Sequence, residues 1–402
     1  MPRAGQVKPP VEERLSDRIA VGVLTRVFPA ELVDEVVAET GRSEKRNRLL
    51  PARVTVYFVL AMCLFSGQAY EEVARLLTEG LAWSGRWRGA WEVPSTGAIS
   101  RARARLGAEP LRVLFGRVCR PVATPDTVGA WYRGRRLVAV DGTTLDVADT
   151  PDNDAFFGRP GSGRGDKKSA FPQVRLVVLA ECGTHAVFAA ATGPCTVAET
   201  VLADTLLPRL QPGMLLLADR NFPGFDRWKA AAATGADLLW RVKSDVVLAV
   251  REQYADGSYL SEIYAARDRR RAHGQLVRVV EYTIADHEDA GPIRLITTIL
   301  DPDQAPAAEL AALYHERWEV EGVLDEIKVH QRGPEVVLRS RYPDGVEQEV
   351  YGFLLVHHAV RQVMHQAAAQ AGTDPDRMSF TRSLRVVRRQ VPAQAAFFPL
   401  SG

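Results

Sequence analysis

The chain has 402 residues, 46% of them hydrophobic and 25% charged, which excludes wholesale disorder and predicts two or three soluble globular domains. Lys and Arg number 51 against 49 Asp and Glu, a net charge of +2, so any nucleic-acid-binding surface must come from local clustering of charge. Cys63, Cys119, Cys182 and Cys195 show no CxxC spacing, which excludes a zinc finger and argues against a disulfide scaffold.

Residues 1–12 are polar, contain proline and carry no apolar h-region of a secretory signal. A cytoplasmic, nucleoid-associated protein is the expectation. From 13 to 125 the pattern is helical, with Leu15, Ile19, Val23 and Leu24 and then Val73, Leu76 and Leu77 at helical spacing. The uncharged stretch Val54–Tyr70 is shorter than a membrane span and reads as a buried core helix. Beyond about 125 the texture changes. Strands are predicted at Leu137–Val140, Val174–Leu179 and His185–Ala190, a helix at Glu199–Leu210, and an apolar strand at Met214–Ala218. A helix at Phe225–Thr234 and a strand at Leu238–Val242 follow. Residues 245–290 interrupt the alternation with short strands, Val246–Val250 and Leu276–Thr283, around the basic run Arg267–Arg271, and read as an insertion. Ile293–Leu300 resumes the pattern. Long helices follow at Pro306–Gln331 and Glu347–Ala371, then a basic amphipathic one at Phe380–Gln390. Helices on both faces of a mixed sheet, an α/β (α+β) arrangement, account for this order. The expected division is 13–125 helical, 126–372 mixed-sheet and 373–402 tail.

Two aspartates stand out by position. Asp141 follows Leu137–Val140 and Asp219 follows Met214–Ala218. An acid at the exit of a buried strand lies where ligands of open sheets bind, although either one alone reads equally as a loop or cap residue. Tyr314, Arg317, Glu321 and Lys328 lie at about 0°, −60°, −20° and −40° on a 100° wheel, one narrow stripe beside the apolar face. Asp325 is the rival to Glu321, whereas Glu316, Glu319 and Glu326 point elsewhere and fit a solvated face. Three carboxylates on separate elements suit hard divalent cations. Two such ions about 4 Å apart serve phosphodiester attack. The glycine-rich stretch Gly158–Lys168 is not a P-loop, because Arg164 stands where lysine is required.

The spacing Y-x2-R-x3-E-x6-K of Tyr314, Arg317, Glu321 and Lys328, with Asp141-Gly142-Thr143 and Asp219-Arg220-Asn221 after strands, resembles bacterial DDE transposases of the insertion-sequence-four family. The resemblance implies an RNase H-like core with a β-rich insertion before the last acid, preceded by a helical DNA-binding domain. It implies metal binding by Asp141, Asp219 and Glu321, with Mg2+ or Mn2+ as two ions per site. Tyr314, Arg317 and Lys328 become DNA-end contacts. Such an enzyme binds terminal inverted repeats, cuts the element ends and joins them to target DNA, as a homodimer in the synaptic complex.

A helix-turn-helix-like unit is predicted from Tyr70–Leu77 and Pro94–Leu106, with Ser95 or Thr96 as cap and Arg101, Arg103 and Arg105 toward a groove. The alternative is a solvated basic face. Arg42, Lys45, Arg46 and Arg48 form a second basic cluster and Arg382, Arg385, Arg388 and Arg389 a third. Trp83, Trp87 and Trp91 read as core. Two rival functions stay open at this stage: a catalytically silent DNA-binding regulator derived from a transposase, and a metal-dependent phosphohydrolase.

Overall fold

The computed structural model describes residues 23–44, 50–83, 93–161, 169–283, 292–334 and 336–394. Leu15, Ile19, Lys45, Arg46, Arg48, Trp87, Trp91 and most of the Gly158–Lys168 loop lie outside the described residues. Helices come first: α1 (Val23–Val27), α2 (Ala30–Glu39), α3 (Ala52–Leu64), α4 (Tyr70–Trp83), α5 (Thr96–Leu106) and α6 (Glu109–Val118). In α3 every residue but Arg53 is buried, as befits a helix that is apolar all round. Among the described residues no helix is long and apolar enough to cross a membrane.

The sheet follows. Its parts are β1 (Trp131–Tyr132), β2 (Arg135–Asp146), α7 (Pro151–Phe157), β3 (Gln173–Glu181), β4 (Val187–Pro194), α8 (Glu199–Leu206), β5 (Met214–Ala218), α9 (Phe225–Ala232) and β6 (Asp237–Val242). Then come β7 (Glu252–Gln253), β8 (Tyr259–Ile263), β9 (Gln275–Tyr282) and β10 (Ile293–Thr297). The strand order is β4-β3-β2-β5-β6-β10-β9-β8-β7, with β1 on β2. β4, β3 and β2 are antiparallel, and β2, β5 and β6 are parallel. Parallel neighbours need crossovers, and α8 and α9 are carried by them. This is the RNase H-like mixed sheet. The strands of 245–290 extend it through β9–β10 pairing instead of standing apart. The expected strand Val246–Val250 is absent. The Val246 amide turns back onto the Lys243 carbonyl, and the stretch stays irregular.

Residues of β2 alternate between two cores, as period-two strands must. Leu137 and Ala139 join one core, Val138 and Val140 the other. The first core also takes in Leu60, Leu64, Leu111 and Leu355, so the N-terminal helices share it with one face of the sheet. Gly352 permits that closeness, since a Cβ there would lie 2.7 Å from Cys63 Sγ.

The predicted helix Pro306–Gln331 is a composite rod. It runs through α10 (Ala307–Leu313), a 3-10 turn at Tyr314–Trp318, α11 (Glu319–Asp325) and a π-helical turn at Glu326–Gln331. Then come α12 (Pro343–Ala371), a short 3-10 turn at Pro375–Arg377 and α13 (Phe380–Gln394).

Candidate active site

Asp141 does not end its strand. Gly142–Asp146 keep pairing with Val177–Gln173 of β3, so β2 runs on past the acid. Its other neighbour, β5, stops at Ala218. The parallel register pairs Ala139 with Leu217. Carried on two residues, it sets Asp141 level with Asp219, the first residue beyond β5. Asp141 therefore has a strand on one side only, at the carboxyl end of β5, where open sheets bind ligands. Leu137, Ala139, Leu215 and Leu217 all belong to the first core. The alternation turns Asp141 and Asp219 to the same face. α11 covers that face, burying Val320, Val323 and Leu324 in the same core.

Glu321 sits on α11 with its side chain 45% exposed and takes a hydrogen bond of 2.9 Å from Arg317 Nη2. Arg317 Nη1 lies 4.0 Å from Asp141 Oδ2, and its guanidinium stacks on the Trp318 ring at 4.4 Å. The cation thus spans two of the three acids. Arg317 is buried and its Nε has no partner among the described residues. Asp325 is turned away and pairs with His330 at 3.2 Å. Lys328 is exposed further along the rod.

Burial pushes the Asp141 carboxyl up to about 6. The Gly142 amide, which donates to it at 2.8 Å, and Arg317 pull it down, while Glu199 and Glu321 push it up. Glu199 is the acid that sequence reasoning missed. It opens α8, where an acid in the first turn is ordinary. Yet it lies against Gly142, where an added Cβ would meet Glu199 Oε1 at 2.5 Å. Burial raises its carboxyl too, with Asp219 adding to the rise and Arg175 and the Gly142 amide opposing it. The available signal was the glycine directly after Asp141. These acids offer oxygen donors and more negative charge than Arg317 offsets, which fits hard divalent cations, although among the described residues the ligand atoms that already converge are those of His185, Glu319 and Asp376.

Several expectations are corrected. Tyr314, expected to touch DNA, is buried and its hydroxyl donates to the Ala218 carbonyl at 3.2 Å, pinning the rod to the end of β5. Arg103 turns inward. It is 2% exposed and donates to Gln348, Ser340 and the Gly345 carbonyl. Its place four residues after Ile99 and three before Leu106 sets it on the buried face of α5. Arg101 and Arg105 are exposed on the other face, with Arg105 3.6 Å from Glu44. Ser95 caps α5 by accepting from the Ala98 amide. Arg388 donates to the Leu64 and Gln331 carbonyls, whereas Arg382, Arg385 and Arg389 are exposed.

Glu319 and Glu326 are not on a solvated face. Glu326 accepts from His357 Nε2 and Arg361 Nε, each at 2.9 Å, and also contacts His185. Burial would raise its carboxyl, but these donors hold it well below the usual range. Glu319 accepts from the Gly183 amide, and burial pushes its carboxyl up to about 10.

Residues 18–116 match the family described as insertion element 4 transposase N-terminal, and residues 132–357 match the transposase DDE domain. The chain is 28% identical over 369 residues to transposase InsG for insertion sequence element IS4 of Escherichia coli K12, covering 90% of this chain and 80% of that protein. Its fold is similar to that of the piggyBac transposase in a synaptic complex with hairpin DNA. The TM-score is 0.50 at 12% identity, over 96% of this chain and 83% of that one. A mixed sheet with acids level at its edge, beneath a helix that carries the family spacing, agrees with these matches: the chain belongs to the insertion-sequence-four DDE transposases, enzymes that cleave DNA and transfer strands.

Proposed function

We propose that Asp141, Asp219 and Glu321 are the metal ligands and catalytic acids of this transposase, with Mg2+ or Mn2+ as two ions per site. Bound there, the ions would activate a water or a 3′-hydroxyl and stabilise the leaving oxygen of the phosphodiester. The observation that carries this reading is Arg317, bonded to Glu321 at 2.9 Å and 4.0 Å from Asp141, with Asp219 directly after β5, the parallel neighbour of β2. Arg317 holds Glu321 turned toward the aspartates and offsets part of their mutual repulsion. Tyr314 sets the height of the rod through Ala218. A guanidinium keeps its charge through any change at the acids, so Arg317 also stands ready for a phosphate oxygen. Lys328 is exposed in the π-helical turn, seven residues beyond Glu321, placed to meet flanking DNA backbone and not to be a ligand.

Residues 13–125 form the end-recognition part in this reading. Arg101 and Arg105, four apart on the exposed face of α5, contact phosphate or base edges, and the exposed tail arginines add backbone contacts. Two element ends must be held together, so the working assembly is a homodimer on DNA. The test is incubation with DNA from the flanks of the chain's own gene, with and without magnesium. Magnesium-dependent nicks at the element ends are expected. Binding without any nick, at every magnesium or manganese concentration, would overturn the catalytic reading.

A further inference from the structure

We infer that Glu199 is a fourth carboxylate of the metal site, brought against the strand beside Asp141 because Gly142 has no side chain; this rests on the site proposed above. The geometry is set by the two faces of the sheet. Asp141 and Asp219 point to the face under α11. Gly142, the next residue along, points to the other, where α8 buries Leu202, Ala203 and Leu206 in the second core. An α8 acid would ordinarily be cut off from the aspartates by the strand's side chains. Gly142 has none, and its amide, which donates to Asp141 Oδ1 at 2.8 Å, also bonds the Glu199 carboxylate, so the two acids meet at one N–H. The Glu199 carboxylate occupies the space, so close that a Cβ would lie 2.5 Å from Oε1 and 2.9 Å from Cδ. Glu199 is consequently within electrostatic reach of both Asp141 and Asp219.

Charge supports the same assignment. The buried Arg317 serves Asp141, Asp219 and Glu321 on the α11 side. The cation nearest Glu199 on its own side is Arg175, which donates to the Cys195 carbonyl at 3.0 Å. A structural acid in the first turn of a helix needs only the helix dipole, and faces solvent at no cost. Glu199 is instead half-buried against like charge, an arrangement that divalent cations relieve. Glu199 binds its ion from the side opposite Glu321, so the two glutamates flank the aspartates above and below.

Metal binding, read without DNA, tests this. Manganese affinity and stoichiometry are measured by electron paramagnetic resonance on the full chain, with melting temperature recorded for each variant. Glu199→Gln is expected to weaken manganese binding at least about tenfold, the lower end of the loss when a metal's supporting shell is removed. Gly142→Ala is expected to reproduce that loss with the carboxylate still present, because the added methyl displaces it. Asp141→Asn serves as the reference for a lost ligand. If Glu199→Gln and Gly142→Ala keep wild-type manganese binding while Asp141→Asn loses it, Glu199 is a fold residue and the inference fails. If Asp141→Asn also keeps it, the site itself has been misassigned. A Gly142→Ala chain that no longer melts cooperatively leaves the decision to Glu199→Gln, which is isosteric and half-exposed.

Discussion

Two glutamates on one helical rod, Glu321 and Glu326, stand five residues apart and live in opposite surroundings. Glu326 is buried, accepts from Arg361 and His357 and lies beside His185, so its charge is satisfied by the fold. Glu321 is 45% exposed, has Arg317 as its charged partner among the described residues, and lies near Asp141. A satisfied acid builds structure, because removing its donors or its charge leaves a buried group unpaired. An acid that the protein leaves short of positive charge at a sheet edge holds a place for a cation. The contrast separates structural from functional carboxylates where residue type alone does not.

The largest expected effect lies on the functional side. Asp141→Asn or Asp219→Asn should lower magnesium-dependent nicking of end DNA by at least about 10²–10³-fold, the scale on which preorganised charge acts in transition states. Gel-shift affinity for the same DNA should stay unchanged. A nicking rate near that of the wild type in either variant removes that residue from the site.

On the structural side, Glu326→Gln should cost about 3–5 kcal/mol of stability by leaving buried Arg361 without its counter-charge. Chemical denaturation measures it. The folded-state carboxyl is depressed, so its contribution is present above the ordinary glutamate range and is lost as pH falls through the folded value. The variant's deficit should therefore shrink in acid. A deficit that persists unchanged below pH 4 would contradict the ion-pair origin. Arg103→Ala belongs to the same class and should also destabilise by about 3–5 kcal/mol, since Glu349 lies 3.7 Å from it and both are buried.

Asp141→Asn should also stabilise the metal-free chain, by about 1–3 kcal/mol near pH 7. The folded carboxyl is raised from 3.8 to about 6. Its contribution is fully present below 3.8 and is lost as pH rises through 6, so the ionised acid strains the fold at neutral pH and asparagine removes that strain. The gain should vanish near pH 4. Melting curves across pH 4–8 without divalent ions decide it, and a destabilised variant at pH 7 would contradict the sign.

The smallest effect concerns α5. Replacing Arg101 and Arg105 together with alanine should leave stability within about 0.5 kcal/mol and reduce the slope of log K against log salt by about 2, one per phosphate contact. An unchanged slope retires them as DNA contacts.

Much of this was legible in the sequence, for identifiable reasons. Met214–Ala218 is apolar without a break and Asp219 follows it, so strand and acid are both visible. The four-residue stripe on the rod shows because its spacing is local. Asp141 was seen as an acid but set at a strand's end. The strand continues because Gly142–Thr144 are held by β3, a pairing that no local pattern reveals. Glu319 and Glu326 were misread because a 100° wheel does not describe a rod that tightens to 3-10 and widens to π, and because His185 and Arg361 come from distant elements. Glu199 was invisible because a first-turn acid looks the same with or without a glycine opposite it in space. Arg103 was decidable from Ile99 and Leu106 by helix periodicity, and counting basic residues hid it.

The most direct test of the contrast on the rod is a side-by-side nicking assay on end DNA with magnesium, using the wild-type chain, Glu321→Gln and Asp325→Asn. Asp325 is the nearest rival carboxylate, and its place beside His330 marks it as a surface pair. The predicted result is no detectable nicking by Glu321→Gln, with DNA binding intact, and near-wild-type nicking by Asp325→Asn. Nicking that survives in Glu321→Gln and is lost in Asp325→Asn would contradict the assignment.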